Sequence, residues 1–224
     1  MTASPGVIGV LGGTFDPVHF GHLRLGLEAI DRLGLAEVRI VPTGVPPHRA
    51  APFAPAAARL RMAALAVAGE PRFVLDPAEA ASIEPAYTVD TLLRLRRELG
   101  PARPLCLLMG SDAFAGLASW SRWRQLFELA HIGVATRPGH AAALDRLRGP
   151  LAEECAARLG DSAASLAAAP AGAVVRFPIS ALDISASAIR DMLAHGRSPR
   201  YLLPDAVLDY IGSNRLYPRE PDGR

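Results

Sequence analysis

The residues best suited to chemistry lie near the start of the chain, between Gly12 and His22. His19 and His22 are three residues apart, a spacing that places two side chains on one face of a helix. An imidazole can donate a hydrogen bond to a phosphate oxygen, and an imidazolium also adds positive charge. Because Gly12 and Gly13 lack side chains, the backbone there can come close to a ligand. Together these residues suit a transition state in which negative charge grows on phosphoryl oxygens.

The histidine pair has two alternative roles that the spacing alone leaves open. Both side chains could cap the start of a helix without binding a ligand. A zinc site is the second alternative, although zinc needs three or four ligands and no third candidate lies nearby in the sequence.

A second pattern, typical of a helix start, lies far along the chain at Ser185, Ser187 and Arg190. Ser187 is expected to cap a helix whose first N–H groups bind an anion. The guanidinium of Arg190 offers a planar pair of donors that fits a phosphate group. Taken alone, this pattern is also that of an ordinary helix start.

The composition excludes several classes of function. The 224 residues include no Lys, so neither a Walker A phosphate loop nor a lysine Schiff base can form. The net charge of +2 gives no electrostatic reason to expect a nucleic-acid partner. Two cysteines, Cys106 and Cys155, are too few for a zinc ribbon; both are expected to be structural, and Cys106, in an apolar run, is expected to be buried.

Targeting and membrane segments are not expected either. The first six residues do not have the character of a signal peptide, and no apolar stretch approaches the roughly 20 residues that span a bilayer. The sequence therefore predicts a cytoplasmic protein without a membrane partner.

Alternating apolar runs and helical patterns predict the elements that must position these residues. Strands are expected at residues 7–11, 38–42, 72–76, 105–109, 132–136 and 173–179, and helices at 21–33, 56–68, 88–99, 125–130, 187–195 and 205–211. Residues 140–172 are Ala-rich and are expected to form a surface helix with flexible flanks. The prediction is a single-domain, doubly wound α/β fold with a mostly parallel sheet, spanning residues 1–217, and a flexible tail at 218–224.

Structural roles are expected for several residues outside these motifs. His131 opens a strand and is expected to be structural, whereas His140 and His195 are expected at solvated helix ends. Trp123 is expected in the core, and the arginines at positions 94, 96 and 97 on an exposed helix face.

The two candidate phosphate sites resemble the paired signatures of the nucleotidyltransferase superfamily, which joins the AMP or CMP part of a nucleotide to a phosphate-bearing acceptor. Its (H/T)xGH element appears as His19-Phe20-Gly21-His22, and its second element as the ISASAIR run at residues 184–190. The resemblance implies a Rossmann-like fold with C-terminal helices, and catalysis by His22, His19 and Arg190. Class I aminoacyl-tRNA synthetases share the first element, but their second signature depends on Lys.

Most of the chain is similar to the bacterial nicotinate-nucleotide adenylyltransferase family. The matches fall at residues 46–49, 87–92, 110–112, 137–139 and 201–204, together with Trp120, and extend from residue 7 to about 211, weakly in 140–172. The sequence departs from the family at Ser121, where an aromatic residue is common, and at Arg49, where Lys is common.

The resemblance implies a reaction of ATP with nicotinate mononucleotide that yields deamido-NAD and pyrophosphate. Trp120 would stack on the nicotinate ring, and the Thr88 N–H would receive its carboxylate. The acceptor is thus expected to contact Thr14, His48, Arg49, Tyr87, Thr88 and Trp120. ATP is expected to contact Gly12, Gly13, Thr14, Phe15, His19, His22, Gly110, Asp112, Arg137, Ser185, Ser187 and Arg190.

Mg²⁺ is expected to arrive on the ATP phosphates rather than in a protein-built metal site. A homo-oligomer is left open. The alternatives are an adenylyltransferase that acts on nicotinamide mononucleotide or phosphopantetheine, and a nucleotide-sensing binding protein without catalytic activity.

Overall fold

The computed structural model describes residues 6–46, 51–137, 147–160 and 163–218. Six strands form one sheet in the order β3-β2-β1-β4-β5-β6. The strands are β1 (Ile8–Gly13), β2 (Glu37–Pro42), β3 (Phe73–Leu75), β4 (Leu105–Gly110), β5 (His131–Thr136) and β6 (Val174–Pro178). β1 pairs with β4, β4 with β5 and β5 with β6, all in parallel. This is the order of the doubly wound dinucleotide-binding fold, so the predicted fold class is confirmed.

The central strands are buried because their sequences are almost continuously apolar. Every residue of β5 is buried, and so are the first five residues of β4. Strands covered on both sides lose the alternation of polar and apolar residues that marks a half-exposed strand. Gly133 in β5 permits close packing, because a Cβ there would lie 2.9 Å from Leu108 and 3.0 Å from the Cys106 sulfur.

The six helices that were predicted at defined bounds lie close to their expected positions. They are α1 (Phe20–Leu33), α2 (Ala56–Val67), α3 (Thr88–Leu99), α4 (Ser111–Ala115), α5 (Trp123–Leu129), α6 (Pro150–Arg158), α7 (Ala163–Ala167), α8 (Ala186–Ala194) and α9 (Asp205–Ser213). The short helix α4 and a 3₁₀ turn at Leu117–Ser119 were not predicted. Both are too short to give a helical repeat in the sequence.

The prediction of one helix within residues 140–172 is wrong for the described part of that region, which holds α6 and α7. Pro150 favours a helix start, since its fixed φ suits the first turn and its missing N–H is not needed there. Leu159 then leaves the helix to form an isolated bridge with Val174, and the Gly160 N–H donates to the Val174 carbonyl at 2.9 Å. These contacts with β6 separate the two helices.

The chain divides into two compact units. Unit 1 comprises Met1–Leu11, Leu25–Arg39 and Tyr87–Ala181, and contains β4 to β6 with α3 to α7. Unit 2 comprises Gly12–Arg24, Ile40–Ala86 and Leu182–Arg224, and contains β3, α2, α8 and α9. The single domain at residues 1–217 stays a prediction. Of the predicted tail, only Pro218 lies within the described residues.

The cysteines and His131 have the structural roles expected from the sequence, and His195 lies at a solvated helix end as expected. Cys106 and Cys155 are buried free thiols. His131 is fully buried, and its ring nitrogens bond to the Ala169 carbonyl at 2.8 Å and the Ala173 N–H at 3.0 Å. His195 is exposed at the end of α8. His140 lies outside the described residues.

Arg96 departs from the expectation of an exposed arginine face. Its Nε donates to the Leu129 carbonyl at 2.7 Å, and its other nitrogens donate to the carbonyls of Pro101, Arg103 and Pro170. A guanidinium has five donors in a planar fork, so one side chain can satisfy several loop carbonyls at once. Arg96 is therefore a structural clamp within unit 1.

In the part of the chain that the structure covers, no helix is both long and apolar enough to cross a membrane.

Candidate active site

The end of β1 contains an exposed backbone position, at Gly12, that a ligand could approach. A Cβ at Gly12 would meet nothing within 4 Å, so this position is open. A Cβ at Gly13 would lie 3.0 Å from the ring of Phe15, which is buried and has a positive φ of 49°. The two glycines thus have different roles: Gly12 leaves space, and Gly13 makes room for the Phe15 side chain.

His19 and His22 stack on each other at the start of α1. Their ring centroids are 3.7 Å apart and the planes differ by 24°. Gly21 between them favours this arrangement, since a Cβ there would lie 3.0 Å from two atoms of the His19 ring and would crowd it. The ring of Phe15 meets the His22 ring edge-on at 4.9 Å. The prediction that both imidazoles share one face is confirmed.

The hydrogen bond of His22 fixes which ring nitrogen can act on a ligand. Its Nδ1 accepts the backbone N–H of His19 at 3.3 Å, as the third helical residue does in a capping box. Since Nδ1 accepts, the proton of the neutral ring lies on Nε2. The capping bond of His22 agrees with the helix-capping alternative for that residue, and a bond from its Nε2 to a ligand stays a prediction.

His19 behaves differently from a helix cap. Its Nδ1 is buried and, among the described residues, has no hydrogen-bond partner. Leaving a buried polar atom unsatisfied costs about 1–3 kcal/mol. A purely structural histidine gains nothing from that cost, whereas unsatisfied groups are common at functional sites.

Both histidines are held neutral in the ligand-free protein. Burial lowers the pKa of His19 to about 4. Burial, and secondarily the neighbouring His19, lower the pKa of His22 well below its usual value of 6.5. Of the two forms considered from the sequence, the structure thus favours neutral hydrogen-bond donors over imidazolium ions before any phosphate binds.

The second motif begins α8, with one correction. The prediction that Ser187 caps this helix is wrong, because the helix starts at Ala186 and the cap is Ser185. Ser185 has an extended backbone, and its hydroxyl accepts the Ala188 N–H at 3.2 Å. The Ser187 hydroxyl lies 3.1 Å from that of Ser185. Two hydroxyls therefore line the start of the helix, where anions are favoured.

Arg190 joins the second motif to the first within unit 2. Its Nη1 donates to the backbone carbonyl of Asp16 at 2.6 Å, and its guanidinium carbon lies 4.3 Å from the centre of the Phe53 ring. The residue that ends the ISASAIR run is thus held directly by the turn that precedes His19.

Three residues of this region were missed by sequence reasoning: Asp16, Arg59 and Tyr217. Asp16 is buried and accepts hydrogen bonds from the N–H groups of Phe53 and Ala54 and from the Tyr217 hydroxyl. The available signal was local for two of them: Asp16 lies inside the histidine motif, and Arg59 is one of two arginines, with Arg61, in an otherwise apolar helix. Tyr217 carries no such signal.

Arg59 binds the loops around the first motif. Its guanidinium is 1% exposed and donates to the carbonyls of Thr14, Thr43, Gly44 and Ala54. Burial lowers its pKa, and the nearby Asp16 carboxylate opposes that shift. One side chain therefore satisfies four backbone oxygens in the loops that follow β1 and β2.

Unit 1 carries the residues expected to contact the acceptor ring. Thr88 is the first residue of α3, and Tyr87 before it makes no side-chain cap, so the cap does not satisfy the first N–H groups of the helix. Trp120 follows the 3₁₀ turn and is partly exposed. The prediction that Trp123 lies in the core is wrong: it is the first residue of α5 and is partly exposed, although its ring packs edge-on against Phe127 at 6.2 Å.

The remaining candidates in unit 1 lie at the carboxyl ends of two strands. Gly110 ends β4 and Asp112 follows it, exposed, in the first turn of α4. Arg137 follows β5 and is exposed. Ligands of doubly wound sheets bind beyond these strand ends. His48 and Arg49, together with residues 138 and 139, lie outside the described residues.

Over the described ranges, His, Cys, Asp and Glu side chains nowhere gather in a group of three or more that could hold a metal ion.

Comparison with known proteins places the chain in a family. The model of the cytidylyltransferase-like family matches residues 10–192. A protein of Dechloromonas aromatica is 54% identical over 94% of this chain and 97% of its own length, and one of Laribacter hongkongensis is 49% identical over 98% and 99%. Both are named probable nicotinate-nucleotide adenylyltransferase.

Solved structures agree on the fold. The Plasmodium falciparum nicotinic acid mononucleotide adenylyltransferase complexed with NaAD superposes with a TM-score of 0.67 at 17% identity, covering 95% of this chain and 97% of that one. The same enzyme complexed with APC gives a TM-score of 0.66. The family match and the identity over nearly the full length of both bacterial relatives lead to one conclusion: this chain belongs to the nicotinate-nucleotide adenylyltransferases of the cytidylyltransferase-like family.

Proposed function

We propose that this protein transfers the adenylyl group of ATP to nicotinate mononucleotide, a step of NAD biosynthesis. The 5′-phosphate oxygen of the mononucleotide attacks the α-phosphorus of ATP in line. The bond from that phosphorus to the bridging β-phosphate oxygen breaks, so deamido-NAD forms and pyrophosphate leaves. Both bacterial relatives carry the name of this activity. The observation that carries the proposal is the joining of both phosphate motifs in unit 2, through the Arg190 bond to Asp16.

The proposed chemistry needs no protein nucleophile. His22 is proposed to donate its Nε2–H to an α-phosphate oxygen as charge develops there. His19 assists from the stacked position, and Arg190 neutralises charge on the phosphates. The acceleration would come from holding the reacting groups in line and from donors that are already oriented.

The other ATP contacts are proposed from position. The open backbone at Gly12, with Gly13, Thr14 and Phe15, would lie against the nucleotide, and Ser185 and Ser187 would bind its phosphates at the start of α8. In unit 1, Gly110, Asp112 and Arg137 would contact the nucleoside part, with the Asp112 carboxylate accepting hydrogen bonds from ribose hydroxyls.

The proposed acceptor residues favour an acid over an amide. The first N–H groups of α3, beginning at Thr88, would receive the nicotinate carboxylate at the positive end of the helix dipole. Trp120 would stack on the ring with Tyr87 nearby, while Thr14, His48 and Arg49 would hold the mononucleotide phosphate. An amide lacks the charge that the helix start favours, so nicotinamide mononucleotide should react more slowly.

Magnesium is proposed to enter bound to the phosphates of ATP. Mg²⁺ keeps several waters and is commonly held by substrate phosphates with few protein ligands. Its charge would offset the negative charge of the leaving pyrophosphate. Chelation with excess EDTA should therefore stop product formation, and added Mg²⁺ should restore it. A cytoplasmic location is part of the proposal, because ATP is the donor substrate.

One experiment tests the reaction against its rivals. The purified protein is incubated with ATP and Mg²⁺, and nicotinate mononucleotide, nicotinamide mononucleotide and phosphopantetheine are offered separately while pyrophosphate is measured. Fastest release with nicotinate mononucleotide supports the proposal. Faster release with another acceptor identifies that acceptor instead. ATP binding without pyrophosphate release from any acceptor would indicate a nucleotide sensor.

A further inference from the structure

The carboxylate of Asp16 is the centre of a buried hydrogen-bond cluster in unit 2. Its Oδ2 accepts the Phe53 N–H at 2.7 Å, and its Oδ1 accepts the Ala54 N–H at 3.1 Å. Oδ1 also accepts the hydroxyl of Tyr217 at 2.6 Å, across 201 residues of sequence. Asp16 is 5% exposed and Tyr217 is 8% exposed. Three hydrogen bonds therefore hold the buried carboxylate in place.

The backbone of the same residue holds Arg190. The same residue that makes these side-chain bonds also offers its peptide carbonyl, which accepts Arg190 Nη1 at 2.6 Å. Phe53, whose N–H binds the Asp16 carboxylate, also places its ring under the Arg190 guanidinium at 4.3 Å. The cluster thus sets both the direction and the plane of the guanidinium. A guanidinium has five N–H donors, so those not used here can reach a phosphate.

Tyr217 reaches this cluster at some conformational cost. Arg215 and Tyr217 have positive φ values of 50° and 55°, in the region that favours glycine. Each such residue costs on the order of 1–3 kcal/mol and persists only where surrounding contacts hold it. The Leu216 N–H bond to the Ile211 carbonyl at 3.0 Å returns the chain against the end of α9, and the Tyr217 hydroxyl then meets Asp16. Burial, with the Asp16 hydrogen bond, raises the pKa of Tyr217, which keeps the hydroxyl protonated as a donor.

We infer that Tyr217 is a positioning residue for adenylyl transfer: its hydroxyl fixes Asp16, and Asp16 in turn orients the Arg190 guanidinium toward the ATP phosphates. This inference rests on the proposed function. Tyr217 acts without touching substrate. Its effect is transmitted through one named side chain, which makes it separable from a general loss of stability.

A double-mutant cycle of Tyr217→Phe and Arg190→Ala tests the inference. Tyr217→Phe removes one oxygen and leaves the ring in place. It should lower kcat/KM for ATP about tenfold, as expected when a hydrogen bond that orients a charged group is lost. In the Arg190→Ala background it should change kcat/KM less than about twofold, because the group that Tyr217 positions is absent. Tyr201→Phe is the matched control, since Tyr201 is 81% exposed and should behave as wild type.

Two outcomes would overturn the inference. Equal losses from Tyr217→Phe in both backgrounds would mean that Tyr217 acts independently of Arg190, and an unchanged kcat/KM would mean that its hydroxyl is not needed. Thermal unfolding of each variant sets an assay temperature at which all are folded. If Tyr217→Phe is not folded there, the same cycle with Asp16→Asn decides between the same outcomes.

Failure of the proposed function would be seen separately. If the wild-type protein released no pyrophosphate with any acceptor, the reaction would be wrong. The cycle would then be measured on the dissociation constant for ATP by calorimetry, with the same expected non-additivity.

Discussion

At the scale of single residues, His22 uses Nδ1 to hold the backbone, and its Nε2–H is the donor proposed to act on ATP. His22→Ala should lower kcat by about 100-fold or more, as expected when a preorganised donor to a developing charge is removed. The fold should survive, because the protein hydrogen bond that the substitution removes, from the His19 N–H, is worth only about 1 kcal/mol. Steady-state pyrophosphate release and circular dichroism would check both statements.

His22→Asn is the matched variant for the same residue. The Asn side-chain oxygen can replace Nδ1 as the acceptor of the His19 N–H, but nothing replaces the Nε2 donor. It should therefore be folded and almost as inactive as His22→Ala. Near-normal turnover of either variant would contradict the role proposed for His22.

The buried state of His19 predicts a pH dependence of stability. Its folded pKa of about 4 is below the unfolded value of 6.5, so between these values the unfolded chain binds a proton that the folded chain does not. The free energy of unfolding should therefore be fully present above pH 6.5 and fall as the pH drops toward 4, by up to about 3 kcal/mol from this residue. Urea unfolding of wild type and His19→Gln across this window measures it. Parallel curves for the two proteins would contradict the prediction.

At the scale of elements, α2 holds the loops after β1 and β2 through Arg59. Arg59→Met would leave four backbone carbonyls without their donor and a buried carboxylate without its nearby cation. The free energy of unfolding should fall by about 3 kcal/mol or more, as for other buried charges that lose a partner. Urea unfolding gives the value. Arg61→Met, an exposed substitution on the same helix, should change the free energy of unfolding by less than about 0.5 kcal/mol. Similar losses for both variants would contradict the role of Arg59 in holding these loops.

At the start of α8, capping and ligand binding can be tested with different serines, because only Ser185 caps the helix. Ser185→Ala removes the cap and should destabilise the protein by about 1 kcal/mol, whereas Ser187→Ala should cost much less. Both variants should weaken ATP binding if both hydroxyls contact phosphate. Thermal unfolding and calorimetry distinguish the two effects. A larger loss of stability in Ser187→Ala than in Ser185→Ala would mean that Ser187 is the helix cap, as the sequence predicts.

At the scale of the whole molecule, unit 2 carries the phosphate motifs and unit 1 carries the residues proposed for the acceptor ring. Variants in the two units should therefore change different kinetic constants. Trp120→Ala should raise KM for nicotinate mononucleotide about tenfold or more, the usual effect of losing a ring stack, with little change in KM for ATP. Trp123→Ala is its control, since that ring packs on Phe127 and should affect stability instead. Equal rises in both KM values for Trp120→Ala would contradict the stacking role.

The sequence by itself determined the α/β class, the approximate positions of the six strands and the family. These features are encoded locally: buried central strands are continuous apolar runs, and phosphate motifs are short segments at helix starts. Helix α3 has the same bounds, residues 88–99, as the helix predicted from its regular apolar spacing. Where the pattern was short or broken, as in α4 and in the region of α6 and α7, prediction failed.

Only the tertiary structure decided the state and the surroundings of the candidate residues. The neutral form of His19 follows from burial, which no local pattern encodes. Ser185 rather than Ser187 caps α8 because the backbone there is extended, although both serines fit the motif equally well. The bond between Asp16 and Tyr217 joins positions 201 residues apart. Contacts of this kind arise when the chain packs, and so the histidines, the serines and Arg190 were visible in the sequence while the groups that hold them were not.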